Sequence, residues 1–448
     1  MTECNGLPLA FSSIRRQKIQ GDFNGGKLTS DAGAVLLREV DRRIGLLDAI
    51  AACISDPRRA GKITHDLRTL LAQRIFAIAM GYEDLNDHES LRDDPLLQLV
   101  SERGIDEQQP LASASTLCRF ENRIDRKAMA KMSEVFVEQF IASHPDPSGP
   151  EQIVLDFDAT DDPVHGNQEG RFFHGYYDHY CFLPLYVFCG DQLLVSYLRP
   201  SKIDAAKHSR PILKLLVRRF RQVWPEAKII FRGDSGFCRW RLLRWCDKHD
   251  VNYIVGLAKN AVLKRLAEPH LQQAKEQFEL AEQKQRIFGE IEYGAVTWDK
   301  RRRVIIKAEH NSQGANPRFV VTNLPGDPQQ LYDNLYCQRG DMENRIKEQQ
   351  LDLFADRTSC HSFGANQLRL LLSSAAYVLL ESLRRFALKG TELARAQAGT
   401  IRLKLLKVAA RITCSVRRVV LHLAGGYPFK QLFSAILSRL RNLHPTPT

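Results

Sequence analysis

The chain has 448 residues, 44% of them hydrophobic, and carries 64 Lys and Arg against 52 Asp and Glu, a formal net charge of +12. That length allows about three domains with a sizeable core. No stretch reaches the roughly 18 uninterrupted apolar residues of a membrane span, since the run Leu370 to Leu380 stops at Glu381. Residues Met1 to Pro8 carry neither a basic start nor an apolar signal core, so a cytoplasmic, nucleoid-associated protein with no membrane partner is expected. Ten cysteines are scattered without the two-residue gap of a zinc or thioredoxin pair, and read as reduced packing residues. The positive balance points to an anionic polymer as partner.

Residues 1 to about 148 read as a helical, DNA-binding region. Thr29-Ser30-Asp31 is a helix-start cluster, followed by Leu36, Leu37, Val40, Ile44 and Leu47 at helical spacing. A second helix is expected over His65 to Met80. Ala112 to Thr116 opens a short helix that carries Arg119 and Arg123, a candidate for DNA recognition, although short capped helices with arginines occur in any helical domain.

The Pro- and Gly-containing stretch His144 to Pro150 reads as a linker. Beyond it the order is strand Ile153 to Asp158, strands Leu185 to Cys189 and Leu193 to Leu198, and helix Ala205 to Val223. Strand Lys228 to Arg232, helix Trp240 to His249 and strand Tyr253 to Leu257 follow. Three strands, helix, strand, helix, strand is the RNase H-like order, an α/β catalytic core whose first part occupies residues 149–258. Residues 259–326 read as a β-rich insertion: a charged helix over Ala261 to Gln283, then strands near Glu290 to Trp298, Val304 to Glu309 and Phe319 to Asn323. Helical periodicity returns at about Gln329 and runs through Leu380, so that residues 327–380 supply the rest of the core.

Residues 381–448 read as a basic helical region for DNA binding or dimerisation. From Glu381 onward 13 Lys and Arg face two acids, and Ile401 to Lys407 alternates apolar and basic residues.

Three acids stand out. In Ile153 to Thr160, alternation puts Val154, Asp156 and Asp158 on one face and Ile153, Leu155 and Phe157 on the other. Two carboxylates on a buried-type strand are costly unless paired or metal-bound, so Asp158 is a candidate ligand, with Asp156 either orienting a ligand or bound water or serving as a further ligand. Asp234 closes another apolar strand between Gly233 and Gly236, at the strand end where α/β sheets place their chemistry. Further on, Tyr336, Arg339, Glu343, Lys347 and Gln350 form one helical stripe about 80° wide, with Glu343 a turn from each cation. Asp158, Asp234 and Glu343 together make a hard oxygen site for two Mg²⁺ or Mn²⁺ ions, suited to phosphodiester cleavage. His165, His174 and His179 read as polar loop residues, and Trp240, Trp245 and Trp298 as core, or as platforms for an extruded base.

These residues resemble the DDE transposases of bacterial insertion sequences. Asp158-Ala159-Thr160 is similar to the family's first-acid motif and Asp234-Ser235-Gly236-Phe237 to its second. Tyr336, Arg339 and Glu343 match its Tyr, two residues, Arg, three residues, Glu signature. The family often carries Lys seven residues after that Glu, where this chain has Gln350. The segments Gly81 to Asp87, Leu91 to Pro95, His165 to Gly170 and Leu198 to Pro200 look like group 1 of the DDE-domain transposases. The resemblance implies a metal-dependent, cut-and-paste enzyme working on the element's inverted repeats and on target DNA, and the need to cut two ends together implies a homodimer. Asp158 would bridge both metals, Asp234 and Glu343 would complete one sphere each, and Tyr336, Arg339 and Lys347 would contact DNA. A nuclease of the same fold that cannot join ends, or a silent DNA-binding protein, are the competing readings.

Overall fold

The computed structural model describes residues 9–105 and 110–442. The chain divides into two compact units, one formed by residues up to Ala51, Asp56–Phe120 and Ser382 onward, the other by Ala52–Ser55 and Glu121–Glu381.

The first unit opens with strands rather than helices: β1 (Leu9–Ile14) and β2 (Gln17–Gly21) form an antiparallel hairpin, and β3 (Leu28–Thr29) follows. Helices α1 (Ala34–Ile44), α2 (Leu46–Ala52), α3 (Leu67–Met80), α4 (His88–Leu91), α5 (Pro95–Val100) and α6 (Ala114–Arg123) come next. Asp66 caps α3 by accepting from Thr69 N at 2.6 Å, and α3 is buried along nearly its whole length, as an apolar helix must be.

In the second unit α7 (Arg126–Ala142) packs against the central sheet, so this unit begins near Glu121 rather than at the linker near 148. Its strands are β4 (Gln152–Ala159), β5 (Asp162–Pro163), β6 (Phe172–His174), β7 (His179–Phe182), β8 (Leu185–Cys189) and β9 (Gln192–Tyr197). Helix α8 (Ser209–Val223), strand β10 (Lys228–Gly233), helix α9 (Trp240–Lys248), strand β11 (Asn252–Leu257) and helix α10 (Ala261–Ala281) follow. Then come β12 (Gln285–Tyr293), β13 (Arg302–Asn311), β14 (Gly314–Ala315) and β15 (Arg318–Thr322). Nine of these strands form one mixed sheet in the order β12-β13-β15-β11-β10-β4-β8-β9, with β14 on β13. Strands β4, β10 and β11 run parallel and the flanking pairs are antiparallel. The strands expected as an insertion thus extend the sheet, and its first strand lies at Gln285–Tyr293, several residues before the expected position.

One face of the sheet carries Ile153, Leu155, Phe157, Phe231 and Val255, covered by Leu213, Leu216 and Phe220 of α8 and by Leu242, Leu243 and Cys246 of α9. The opposite face carries Ile230, Ile254, Ile305 and Val320 and receives Tyr332, with Leu335 and Tyr336 packed beside it. The helical stretch over that face is broken: α11 (Pro328–Gln330), a wide turn over Leu331–Tyr336 closed by Cys337 N to Tyr332 O at 2.9 Å, α12 (Arg339–Lys347) and a second wide turn over Glu348–Asp352. Irregular chain then leads into α13 (Phe363–Leu383).

The C-terminal segment is not all helix. After α14 (Ala398–Ile401) come β16 (Ala410–Ser415) and β17 (Arg418–Leu423), paired antiparallel, then α15 (Lys430–Asn442). Strand β16 also pairs with β3, which joins the two ends of the chain in the first unit. Gly33 lets this happen, because a Cβ there would lie 1.8 Å from Leu405 O. Several basic residues expected to meet phosphate are engaged inside this unit. Lys407 pairs with Asp31 at 2.6 Å, Arg402 donates to Ala79 O at 2.9 Å, and Arg439 donates to Ala387 O at 2.8 Å.

Candidate functional site

Strands β4 and β10 are parallel, so their C-terminal ends lie side by side and Asp158 and Asp234 emerge at the same edge of the sheet. The Asp158 carboxylate is 16% exposed, and its Oδ1 accepts from Ala159 N at 2.9 Å. Asp234 follows β10 directly and caps a tight turn over Ser235–Phe237, its Oδ1 accepting from Gly236 N at 2.9 Å. Glu343 reaches the same edge from α12 and is partly exposed.

The side chain that joins them is Arg339. Its guanidinium donates to Asp158 Oδ2 at 3.4 Å and to Glu343 Oε1, so one cation bridges the first and third acids. Burial pushes the Asp158 carboxyl up to about 7, against the pull of Arg339 and with added repulsion from Asp234 and Glu343. Arg339 is in turn held protonated by Asp158 and Glu343 against its own burial. Among the described residues no group of three or more His, Cys, Asp or Glu side chains is drawn together closely enough to hold a metal ion.

Asp156 does not belong to this set. It lies opposite Arg232 in the β4–β10 register and forms a two-pronged ion pair with it, Arg232 Nη2 to Asp156 Oδ2 at 2.6 Å and Nε to Oδ1. Both carboxylate oxygens are committed at a site 2% exposed, so Asp156 is a structural brace and not a ligand. Arg232 also donates to Leu335 O, tying the sheet to the helical turn that carries Tyr336.

Tyr336 stands over Gly256 of β11: a Cβ there would meet Tyr336 Oη at 2.6 Å and Ser235 N at 2.9 Å. Gly256 thus makes room for both the tyrosine and the Asp234 loop, a constraint that the isolated motifs do not reveal. Lys347 is exposed and makes no ion pair among the described residues. Glu348 is buried and bonded by Arg345 at 2.9 Å. Gln350 points inward, its Nε2 donating to Asp162 Oδ1 at 2.9 Å and Asp161 O at 3.0 Å.

Arg119 lies exposed on α6 and donates to Thr116 Oγ1 at 3.3 Å, while Arg123 is half-buried. His179 Nε2 lies 2.8 Å from Asp161 Oδ2, and His174 packs on Tyr177. Trp298 packs on Tyr293 in the core. Trp240 and Trp245 line a cavity of about 310 Å³ together with Arg210, Arg241, Arg244 and Lys248.

The family described as Transposase DDE domain group 1 matches residues 11–445 of the chain. A comparison with curated proteins finds no match. Among solved structures, a cryo-EM structure of the piggyBac transposase synaptic complex with hairpin DNA is similar at 12% identity and a TM-score of 0.43, covering 84% of this chain and 80% of that one.

Proposed function

Since the chain belongs to the group 1 DDE-domain transposases, we propose that it cuts DNA at the inverted repeats of its own element and joins the freed ends to target DNA. In this reading the second unit is an RNase H-like core, and Asp158, Asp234 and Glu343 are its catalytic acids. The observation that carries the reading is the meeting of Asp158 and Asp234 at one sheet edge, 76 residues apart in sequence, with Glu343 linked to them through Arg339.

DDE transposases generally use divalent metals, and the donor chemistry here suits one, although Arg339 rather than a shared cluster links the first and third acids. All three side chains offer hard carboxylate oxygens, and the mutual repulsion felt at Asp158 is an imbalance that a divalent cation relieves. Asp158, Asp234 and Glu343 would hold two Mg²⁺ or Mn²⁺ ions, which supply activation of the attacking oxygen and stabilisation of the leaving one. The protein's own residues do the rest. The Asp156–Arg232 pair fixes β4 against β10 and so sets the spacing of the two aspartates. Arg339 neutralises Asp158 and Glu343 and would be free to meet a DNA phosphate once those carboxylates were otherwise engaged. Lys347, exposed and unpaired one turn on, binds the backbone beside it, and Tyr336 steadies the strand. Arg119 and Arg123 of α6 contact DNA. Two copies act as a homodimer on a pair of ends, in the cytoplasm at the nucleoid.

The reading is tested by incubating the protein with Mg²⁺ and a labelled duplex carrying the inverted repeats beside its gene. Cleavage by the wild type that is lost in Asp234→Asn and in EDTA is expected. Equal cleavage by Asp234→Asn would remove that residue from the site, and binding without cleavage would leave a silent DNA-binding protein.

A further inference from the structure

Between β4 and β8 the chain makes a detour into a separate small sheet, β5-β7-β6, which begins only four residues after Asp158. Its outer surface is unusually aromatic. Phe173 is 54% exposed, Tyr180 47% and Tyr176 85%. Phe173 and Tyr180 are cross-strand partners with ring centroids 5.7 Å apart at 76°, so they present one face of the hairpin. The Arg171 guanidinium lies over the Tyr180 ring at 4.4 Å. Arg171 bonds the Asn167 amide oxygen and pairs with no carboxylate among the described residues.

Single exposed apolar residues need no explanation, but several rings on one hairpin of some ten residues do. Two features place this hairpin beside the carboxylate edge. His179, where the second strand leaves the turn, lies 2.8 Å from Asp161, three residues past Asp158. Tyr177, within the turn, has its hydroxyl pKa raised first by burial and then by the charges of Asp161 and Asp158.

We propose that Phe173, Tyr176 and Tyr180, with Arg171, form a platform that stacks on an unpaired base of the DNA end held at the carboxylates. The proposal rests on the transposase reading above. Charge favours nucleic acid over an apolar protein partner: the Arg171 guanidinium lies on the platform against Tyr180, and Asp178 is the exposed acid at the tip. Ring faces offer nothing to a phosphate, and a paired duplex hides its base faces. A base freed from its partner beside the cleavage point is what such rings accept, whatever its identity, because every base has a π face.

The test compares binding of three versions of the element-end duplex to the full chain, without Mg²⁺. One is fully paired, one has a single unpaired nucleotide walked through the terminal positions, and one has an abasic site at the same positions. The wild type is expected to prefer an unpaired base over an abasic site at one position by about 5- to 100-fold, the range set by base–aromatic stacking. The triple variant Phe173→Ala, Tyr176→Ala, Tyr180→Ala is expected to lose that preference and keep its affinity for the paired duplex. The rings are exposed, so the variant folds, and Tyr176→Phe with Tyr180→Phe should retain the preference. No preference by the wild type, or an equal one in the triple variant, overturns the platform. A variant that changes oligomeric state in the absence of DNA while the preference persists assigns the rings to a second copy and overturns it as well. Cleavage of the same duplexes in Mg²⁺ is scored separately, so failure to cut counts against the transposase reading alone.

Discussion

At the scale of single residues, the acids and their partners were unequally visible. Asp158, Asp234 and Glu343 stand in motifs whose spacing reads directly from the sequence. Arg232 does not, because its role depends on the parallel register that sets it opposite Asp156. With both members about 2–6% exposed, Arg232→Gln leaves an uncompensated buried carboxylate and should lower stability by about 3–5 kcal/mol in urea unfolding. A loss below about 1 kcal/mol would mean that Asp156 is not held by this pair. Glu343→Gln, at a partly exposed position, should leave the unfolding midpoint nearly unchanged. A different residue governs acid stability in the first unit. His88 is fully buried against Gln73 and Arg74, at 3.0 and 3.2 Å, and burial lowers its pKa to about 3. The unfolded chain takes up that proton near 6.5, so the unfolded state binds more protons between these values. Its contribution is fully present above pH 6.5 and is lost as pH falls toward 3, on the order of a few kcal/mol. Unfolding of the wild type from pH 7 to pH 4, set beside His88→Gln, checks this: the variant should show the flatter pH dependence, and parallel curves would contradict the assignment.

At the scale of elements, periodicity located the strands and helices around the acids to within a few residues, because those segments are long, apolar and bounded by turns. It failed where the two periods coincide or where apolar residues are sparse. Strand β1 is exposed along its length and offers no face to read. In Ala410–Ser415 exposed Arg411 and Thr413 alternate with buried Ala410 and Ile412 at period 2, yet the segment follows a helical run. The stripe from Tyr336 to Gln350 was drawn on an unbroken helix, whereas wide turns precede and follow α12. Gln350 consequently faces the buried Asp162, not solvent. Gln350→Ala should therefore reduce stability by about 1–3 kcal/mol, the cost of an unsatisfied buried acceptor, with the salt dependence of DNA binding unchanged. A salt slope lowered by about one charge, with stability intact, would instead make Gln350 a DNA contact.

At the scale of the whole molecule, composition gave the charge and the absence of a membrane span, and among the described residues no helix is long and apolar enough to cross one. Composition could not foretell that the C-terminal segment folds back on the N-terminal one. That depends on β3–β16 pairing, on the Lys407–Asp31 ion pair and on the glycine at position 33, none of which is a local pattern. The reserve of basic residues open to DNA is correspondingly smaller than the sequence count, since Arg402, Lys407 and Arg439 are engaged within their own unit. The proposed activity requires three carboxylates from three elements to act as one centre for cutting and joining DNA. The most direct measurement supplies the protein with Mg²⁺, pre-cut element ends bearing a free 3′-hydroxyl and a supercoiled target plasmid, and counts joined products for the wild type and for Glu343→Gln. Joining by the wild type, reduced at least about 1,000-fold in the variant while its unfolding midpoint stays in place, is the predicted result. Joining by both proteins at similar rates would contradict it.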